Sequence, residues 1–374
     1  TTTAKDVYVI YGSTNGAAVN LTNLAASQGM KIPALASGTS YGMTSGAGDV
    51  NGDGLADLII GAEMTNSYAG AAYVVYGTTN SAASISLGNL TSSQGFKISG
   101  AAGSSLGIAV SSVGDANGDG LSDVAVTSSN GVYVVYGNST GTGTDVSVTS
   151  GSIAASQGFE ITGVTPTTVS SAGDVNGDGL SDIILGDNSN NVAYVVYSNA
   201  TGTTVDLASG IAASNGFKIN GGSGMFGFAV AGLGDINGDG LADVGIGAVS
   251  TNSFAGAYSV VFGGSQTISN AVRGSGAVTG TSASEVLIGS TGADTLTGGG
   301  GTDRFYAGDG NDTIVIGAAD VTALADNTAG STKALINGGG DYDTLRVTGA
   351  NTHLDLTTIR NAGGALKDFW VGKE

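Results

Sequence analysis

At 374 residues the chain is long enough for two or three domains. Its formal charge of −19 excludes the basic surface that nucleic acid requires, and with no cysteine and one histidine it can assemble neither a disulfide, a zinc site nor a nucleophilic triad. Glycine supplies 67 residues without a triplet period, Val, Ile, Thr, Tyr and Ser abound, and Lys, Glu and Arg are scarce, so an all-β chain rich in turns is expected. No stretch reads as a signal peptide or a membrane span. The chain begins at Thr1 and breaks off within a pattern at Glu374, and is expected to be a piece of a longer protein.

Over the first 265 residues a unit of about sixty residues recurs. Its buried-looking strand is Tyr8-Val-Ile-Tyr-Gly12, Tyr73-Val-Val-Tyr-Gly77, Tyr133-Val-Val-Tyr-Gly137, Tyr194-Val-Val-Tyr-Ser198 and Tyr258-Ser-Val-Val-Phe-Gly263. The tyrosines are expected in the core. A second signature, Ser27-Gln-Gly-Met-Lys-Ile32, is echoed at 93–98, 156–161 and 214–219, and a Gly-containing approach strand is seen at Tyr41-Gly42, Leu106-Gly107 and Phe226-Gly227. In phase with these runs D-x-N-G-D-G-L-x-D, starting at residues 49, 115, 174 and 235. Its oxygen side chains are Asp49, Asn51, Asp53 and Asp57; Asp115, Asn117, Asp119 and Asp123; Asp174, Asn176, Asp178 and Asp182; and Asp235, Asn237, Asp239 and Asp243.

Oxygens at positions one, three, five and nine, with a backbone carbonyl at position seven (Leu55, Leu121, Leu180, Leu241), are how a short loop wraps a hard cation such as calcium. Glycine at positions four and six permits the tight path. An EF-hand needs Glu at position twelve, where this chain has Ile60, Val126, Leu185 and Ile246, so the loops are of another kind, leading straight into a strand. Metal-free Asn-Gly and Asp-Gly hairpin turns are the alternative, against which four copies with the same three Asp speak.

The repeat resembles the FG-GAP repeat of integrin α-subunits and their bacterial relatives. The resemblance rests on Phe226-Gly227, Asp235–Asp243, Gly247-Ala248 and their counterparts; Pro166-Thr-Thr-Val169 and Thr127-Ser128 depart from it. It implies a β-propeller of four-stranded blades, with the calcium loop between the first two strands of each. Counted this way, the chain holds the last two strands of one blade, three whole blades and three strands of a fifth. Upstream blades, blades from another chain and a smaller ring remain open.

Residues 266–279 read as a linker. A nine-residue period follows over 280–315, resuming at 338–346 after an insertion at 316–337. Its pattern, G-G-x-G-x-D-x-U-x, is that of a parallel β-roll that binds calcium through turn carbonyls and Asp294, Asp303, Asp312 and Asp343. Leu287, Leu296, Phe305, Ile314 and Leu345 should point inward, and Glu285 replaces the first Asp. Two nonapeptides make one coil, so the expected coils are 280–297, 298–315 and a third from 338. This part is similar to RTX (hemolysin-type) proteins exported by type I secretion, and residues 351–374 resemble the start of the spacer that follows such rolls.

Eighteen of the thirty acidic residues lie in these two patterns, so the acidity is ligand-like and leaves few carboxylates for acid–base catalysis. Two functions are carried forward. One is a non-catalytic, calcium-binding protein of the cell exterior, an adhesin, surface-layer or filament component whose partners are surface proteins, glycans or copies of itself. The other is a carbohydrate-binding, lectin-like propeller module of a larger secreted enzyme.

Overall fold

The computed structural model describes residues 6–14, 18–35, 43–79, 85–139, 142–148, 151–237, 241–250, 256–264, 271–273, 275–290, 292–308, 311–324, 335–337, 343–348 and 369–370. The chain is nearly all β. Two compact units are distinguished: Thr1–Ser112 with Ser122–Val169 and Gly202–Gly210, and Val113–Leu121 with Ser170–Thr201 and Ile211–Glu374.

In the first unit, β1 (Val7–Ile10) and β2 (Gly29–Ile32) form an antiparallel pair. The next sheet runs up and down through β3 (Thr44–Gly48), β4 (Asp57–Gly61), β5 (Ala71–Val75) and β6 (Gly95–Ser99). A third repeats the order with β7 (Val110–Gly114), β8 (Asp123–Ser128), β9 (Gly131–Val135) and, beyond the short β10 (Val146–Ser147), β11 (Gly158–Thr162). Tyr41-Gly42 of the approach strand lies outside the described residues.

Neighbouring sheets bury their apolar faces on each other. Ile59, Val74, Phe96 and Ile98 pack with Val124, Val126 and Val135 from the next sheet, while Ile32 joins Ile60, Tyr73 and Val75. The link before β11 also sends β10 across to extend β6 in parallel, a strap that alternation patterns do not announce in two residues.

The second unit repeats the plan with β12 (Thr168–Gly173), β13 (Asp182–Asp187), β14 (Val192–Val196) and, after β15 (Val205–Asp206), β16 (Gly216–Asn220). The short β15 belongs to the first unit, where it extends β11 as β10 extends β6. The last of these sheets has β17 (Phe226–Gly234), β18 (Asp243–Ala248) and β19 (Ala257–Val261). Among the described residues these five sheets hold two, four, four, four and three strands, apart from the short β10 and β15.

The tyrosines are core as expected at Tyr73, Tyr133 and Tyr194, but Tyr258 is 61% exposed, along with Phe228, Val260 and Phe262 in this terminal sheet. In three of the four copies the second signature carries a Lys that faces a tyrosine across the strand pair. Lys31, Lys97 and Lys218 stand 6.0, 5.9 and 5.7 Å from the rings of Tyr8, Tyr73 and Tyr194, a cation–π contact.

Beyond them lies a roll of two parallel sheets. One holds β20 (Ala271–Arg273), β22 (Val286–Ser290), β24 (Arg304–Gly308) and β26 (Leu335–Asn337). The other holds β21 (Ala277–Thr279), β23 (Thr295–Thr297), β25 (Thr313–Ile316), β27 (Asp343–Val347) and β28 (Phe369–Trp370). Leu287 pairs with Phe305, and Leu296 with Ile314, so two nonapeptides do make one coil. Leu287, Leu296, Phe305, Ile314 and Leu345 all point into the shared core.

Three expectations change here. Residues 271–273 and 277–279, read as linker, are strands of an extra coil, because backbone pairing to β22 and β23 asks nothing of their side chains. The insertion contains the helix Ala318–Leu324, which packs Val321 and Leu324 on the roll core, and its end returns as β26. Phe369–Trp370, placed in the spacer, pairs in parallel with Asp343–Thr344.

Phe305 has no exposed surface and sits mid-roll. Phe305→Ala should destabilise the roll by about 3–5 kcal/mol in urea denaturation with calcium present. A loss near that of a surface site, about 0.5 kcal/mol, would contradict this packing.

Candidate metal centres

Each FG-GAP-like loop joins the first two strands of its sheet, and its carboxylates are organised by backbone amides. In the first loop, Asp49 accepts the amides of Gly52, Asp53 and Gly54 at 2.7–3.1 Å. Gly52 and Gly54 hold φ of 76° and 85°, the left-handed region foreseen for positions four and six. Asn51 accepts the amide of Asp53 and donates to its carboxylate, while Asp53 also accepts the amide of Leu55. The second loop repeats this within Asp115–Leu121, and the third within Asp174–Leu180 with two amides on Asp174. In the fourth, Asp239 lies outside the described residues and Asp235 and Asn237 are exposed.

Position nine has a role that its residue type did not disclose. One Asp57 oxygen accepts the amide of Val50 at 2.8 Å and the other that of Gly77, beyond the third strand, at 2.7 Å. Asp182 does the same for Val175 and Ser198, and Asp243 for Ile236 and Gly263; Asp123 accepts the amide of Gly137. This carboxylate staples the loop to the end of the third strand. It also explains why that strand ends in Gly or Ser. A Cβ at Gly77 would stand 2.6 Å from the carbonyl oxygen of Ala56. Ser198 answers the same contact by donating its hydroxyl to the Ser181 carbonyl at 2.6 Å.

Consecutive loops also touch. The backbone carbonyl of Asp49 accepts the amide of Ser122, that of Asp115 the amide of Ser181, and that of Asp174 the amide of Ala242. Position one of a loop thus holds position eight of the next.

Burial pushes the Asp57 carboxyl up to about 6, with the charges of Asp53 and Asp49 adding to the rise. Asp174 is likewise pushed up to about 6, by burial and then by Asp178, while Tyr306 and Arg304 pull it back. Buried carboxylates crowded in this way call for a cation. Among the described residues no three acidic or histidine side chains gather tightly enough to hold a metal alone. An ion here would draw on asparagine and backbone oxygens as well, as calcium does.

In the roll the carboxylates form two ladders. Asp303 accepts the amide of Glu285, and Asp320 the amide of Asp303; Asp294 accepts the amide of Gly276, and Asp312 the amide of Asp294. The second oxygen of Asp303 is buried and accepts no hydrogen bond. A Cβ at Gly298 would lie 2.3 Å from it, and one at Gly299 2.4 Å from the carbonyl oxygen of Thr281. Glycine turns, exposed carbonyls and an orphaned carboxylate oxygen fit a calcium site, and burial lifts Asp303 to about 7. Glu285 turns back onto Thr281 of its own turn. Asp320 was not foreseen: the insertion helix delivers it to the place of a repeat Asp, with no glycine pattern to mark it. The side chain of Asp343 lies outside the described residues.

The two roles in the loop separate experimentally. Asp57→Ala strands two amides and should cost about 1–3 kcal/mol for each, with or without calcium. Asp53→Asn keeps an acceptor for Leu55 and should lower stability in calcium only. Urea melts of both variants, in calcium and in chelator, check this; equal calcium sensitivity of the two would refute it.

Residues 41–75 match the FG-GAP repeat, residues 174–246 an FG-GAP-like repeat, and residues 279–314 the RTX calcium-binding nonapeptide repeat in four copies. No curated protein matches the chain. The chain is a calcium-binding repeat protein that joins FG-GAP repeats to RTX calcium-binding nonapeptide repeats.

Proposed function

We propose that this is a non-catalytic protein of the cell exterior, an adhesin, surface-layer or filament component, whose FG-GAP sheets are propeller blades and whose fold depends on calcium. The observation that carries the reading is the placement of carboxylates. In both parts they lie in glycine turns, bonded to backbone amides, where they shape loops and are poorly placed to exchange protons with a substrate. In the loops the side chains of positions one, three and five and the position-seven carbonyl would hold the ion, with position nine lending what its amide bonds leave. In the roll, turn carbonyls with Asp294, Asp303, Asp312 and Asp343 would do so, and Asp320 joins them.

Millimolar calcium outside cells suits oxygen-only loops. The roll's short strands and glycine turns are weak formers, so metal binding free energy becomes folding free energy there. No helix among the described residues is long and apolar enough to cross a membrane. Export through type I secretion follows from the same logic, with the roll open inside the cell and closed outside.

Thermal melts should show a higher Tm in millimolar calcium than in EDTA, with protease cutting first within 280–315 as calcium is withdrawn. Equal melting temperatures would overturn the calcium reading. Protease shaving of intact source cells should release this chain, and recovery only from the cell interior would overturn the surface role.

A further inference from the structure

The third loop differs from the first in what lies over it. Within the second unit, strand β24 of the roll faces Asp174–Leu180. The Tyr306 hydroxyl donates to Asp174, and Arg304 donates to the Gly177 carbonyl at 3.2 Å. The guanidinium also stands over Gly179, where a Cβ would lie 3.3 Å from its Nε. Tyr306 is 4% exposed, and Gly177 is buried, as is Gly118 of the second loop, while their counterpart Gly52 in the first is exposed. Arg304 and Tyr306 flank Phe305, the inward residue of its nonapeptide, and so project outward by strand alternation. Neither belongs to the glycine-aspartate pattern of the roll.

Position one of this loop therefore has a partner that the first loop lacks. Among the described residues the Asp49 carboxylate accepts backbone amides only, whereas Asp174 has two amides, a phenol and a nearby fixed cation. A guanidinium beside Asp174 and Asp178 supplies positive charge without an ion. We infer that the third loop is the docking seat of the roll. There Arg304 and Tyr306 take the place that calcium takes in the first loop, so that calcium and the roll exclude each other at the third. This rests on the reading of the loops as calcium sites.

The test counts calcium bound to the full chain by equilibrium dialysis and metal analysis, with circular dichroism confirming the fold of each variant. Asp53→Asn should remove one ion, and Asp178→Asn should remove none. In the Arg304→Gln/Tyr306→Phe background, adding Asp178→Asn should now remove one ion, because the seat has been vacated. Comparison within that background cancels any effect of the double change on the roll's own sites. Loss of one ion on Asp178→Asn in the otherwise unchanged chain would overturn the proposal and leave the calcium reading intact. No loss in the vacated background would overturn it as well. No loss on Asp53→Asn would overturn the calcium reading itself, and the proposal with it.

Discussion

A carboxylate withdrawn from water must find donors or a cation. This chain withdraws carboxylates in both of its parts, and nearly every local feature answers that demand. Glycines at positions four and six turn three amides toward Asp49. Gly77, Ser198 and Gly263 bring an amide from the end of the third strand to the position-nine carboxylate. In the roll, Asp294, Asp303, Asp312 and Asp320 each accept the amide one coil back, so the ladder of carboxylates sets the register of the strands beside it. Amides satisfy part of the charge by hydrogen bonding. The remainder, visible in the raised Asp57 and Asp303, is what a divalent ion would neutralise on the calcium reading.

Much of this was legible because it repeats. Four loops of one spelling, five Tyr-containing strands and a nine-residue period fixed the class, the strand order within each sheet and the inward residues of the roll. What stayed hidden has no spelling of its own. Asp57 reads the same as ligand or as staple, because a carboxylate serves both. Strands β20 and β21 look like linker because a parallel pairing at the end of a roll uses backbone groups. Asp320 sits in a helix, outside the nonapeptide pattern, and only the fold carries it into the ladder. Tyr258 shares the motif of its buried counterparts yet lies exposed, since burial comes from a neighbouring sheet and not from the strand.

The fold also separates two kinds of stability. The apolar clusters between sheets, such as Ile59, Val74 and Val124, owe nothing to metal. The loops and the roll turns have little apolar surface to bury and much glycine to order. Withdrawal of calcium should therefore act on the turns first and leave the sheet cores paired, so that the molecule loosens locally before it unfolds globally.

The bond from position eight of one loop to the position-one carbonyl of its neighbour has a consequence of its own. The residue whose carboxylate would meet an ion is the residue whose carbonyl holds the next loop in place. Ordering one loop thus prepays some of the entropy of ordering the next, and the coupling is reciprocal. On the calcium reading, neighbouring sites fill cooperatively: occupancy changes over a narrower range of calcium than independent sites would allow, and the sheets respond to their surroundings as a group.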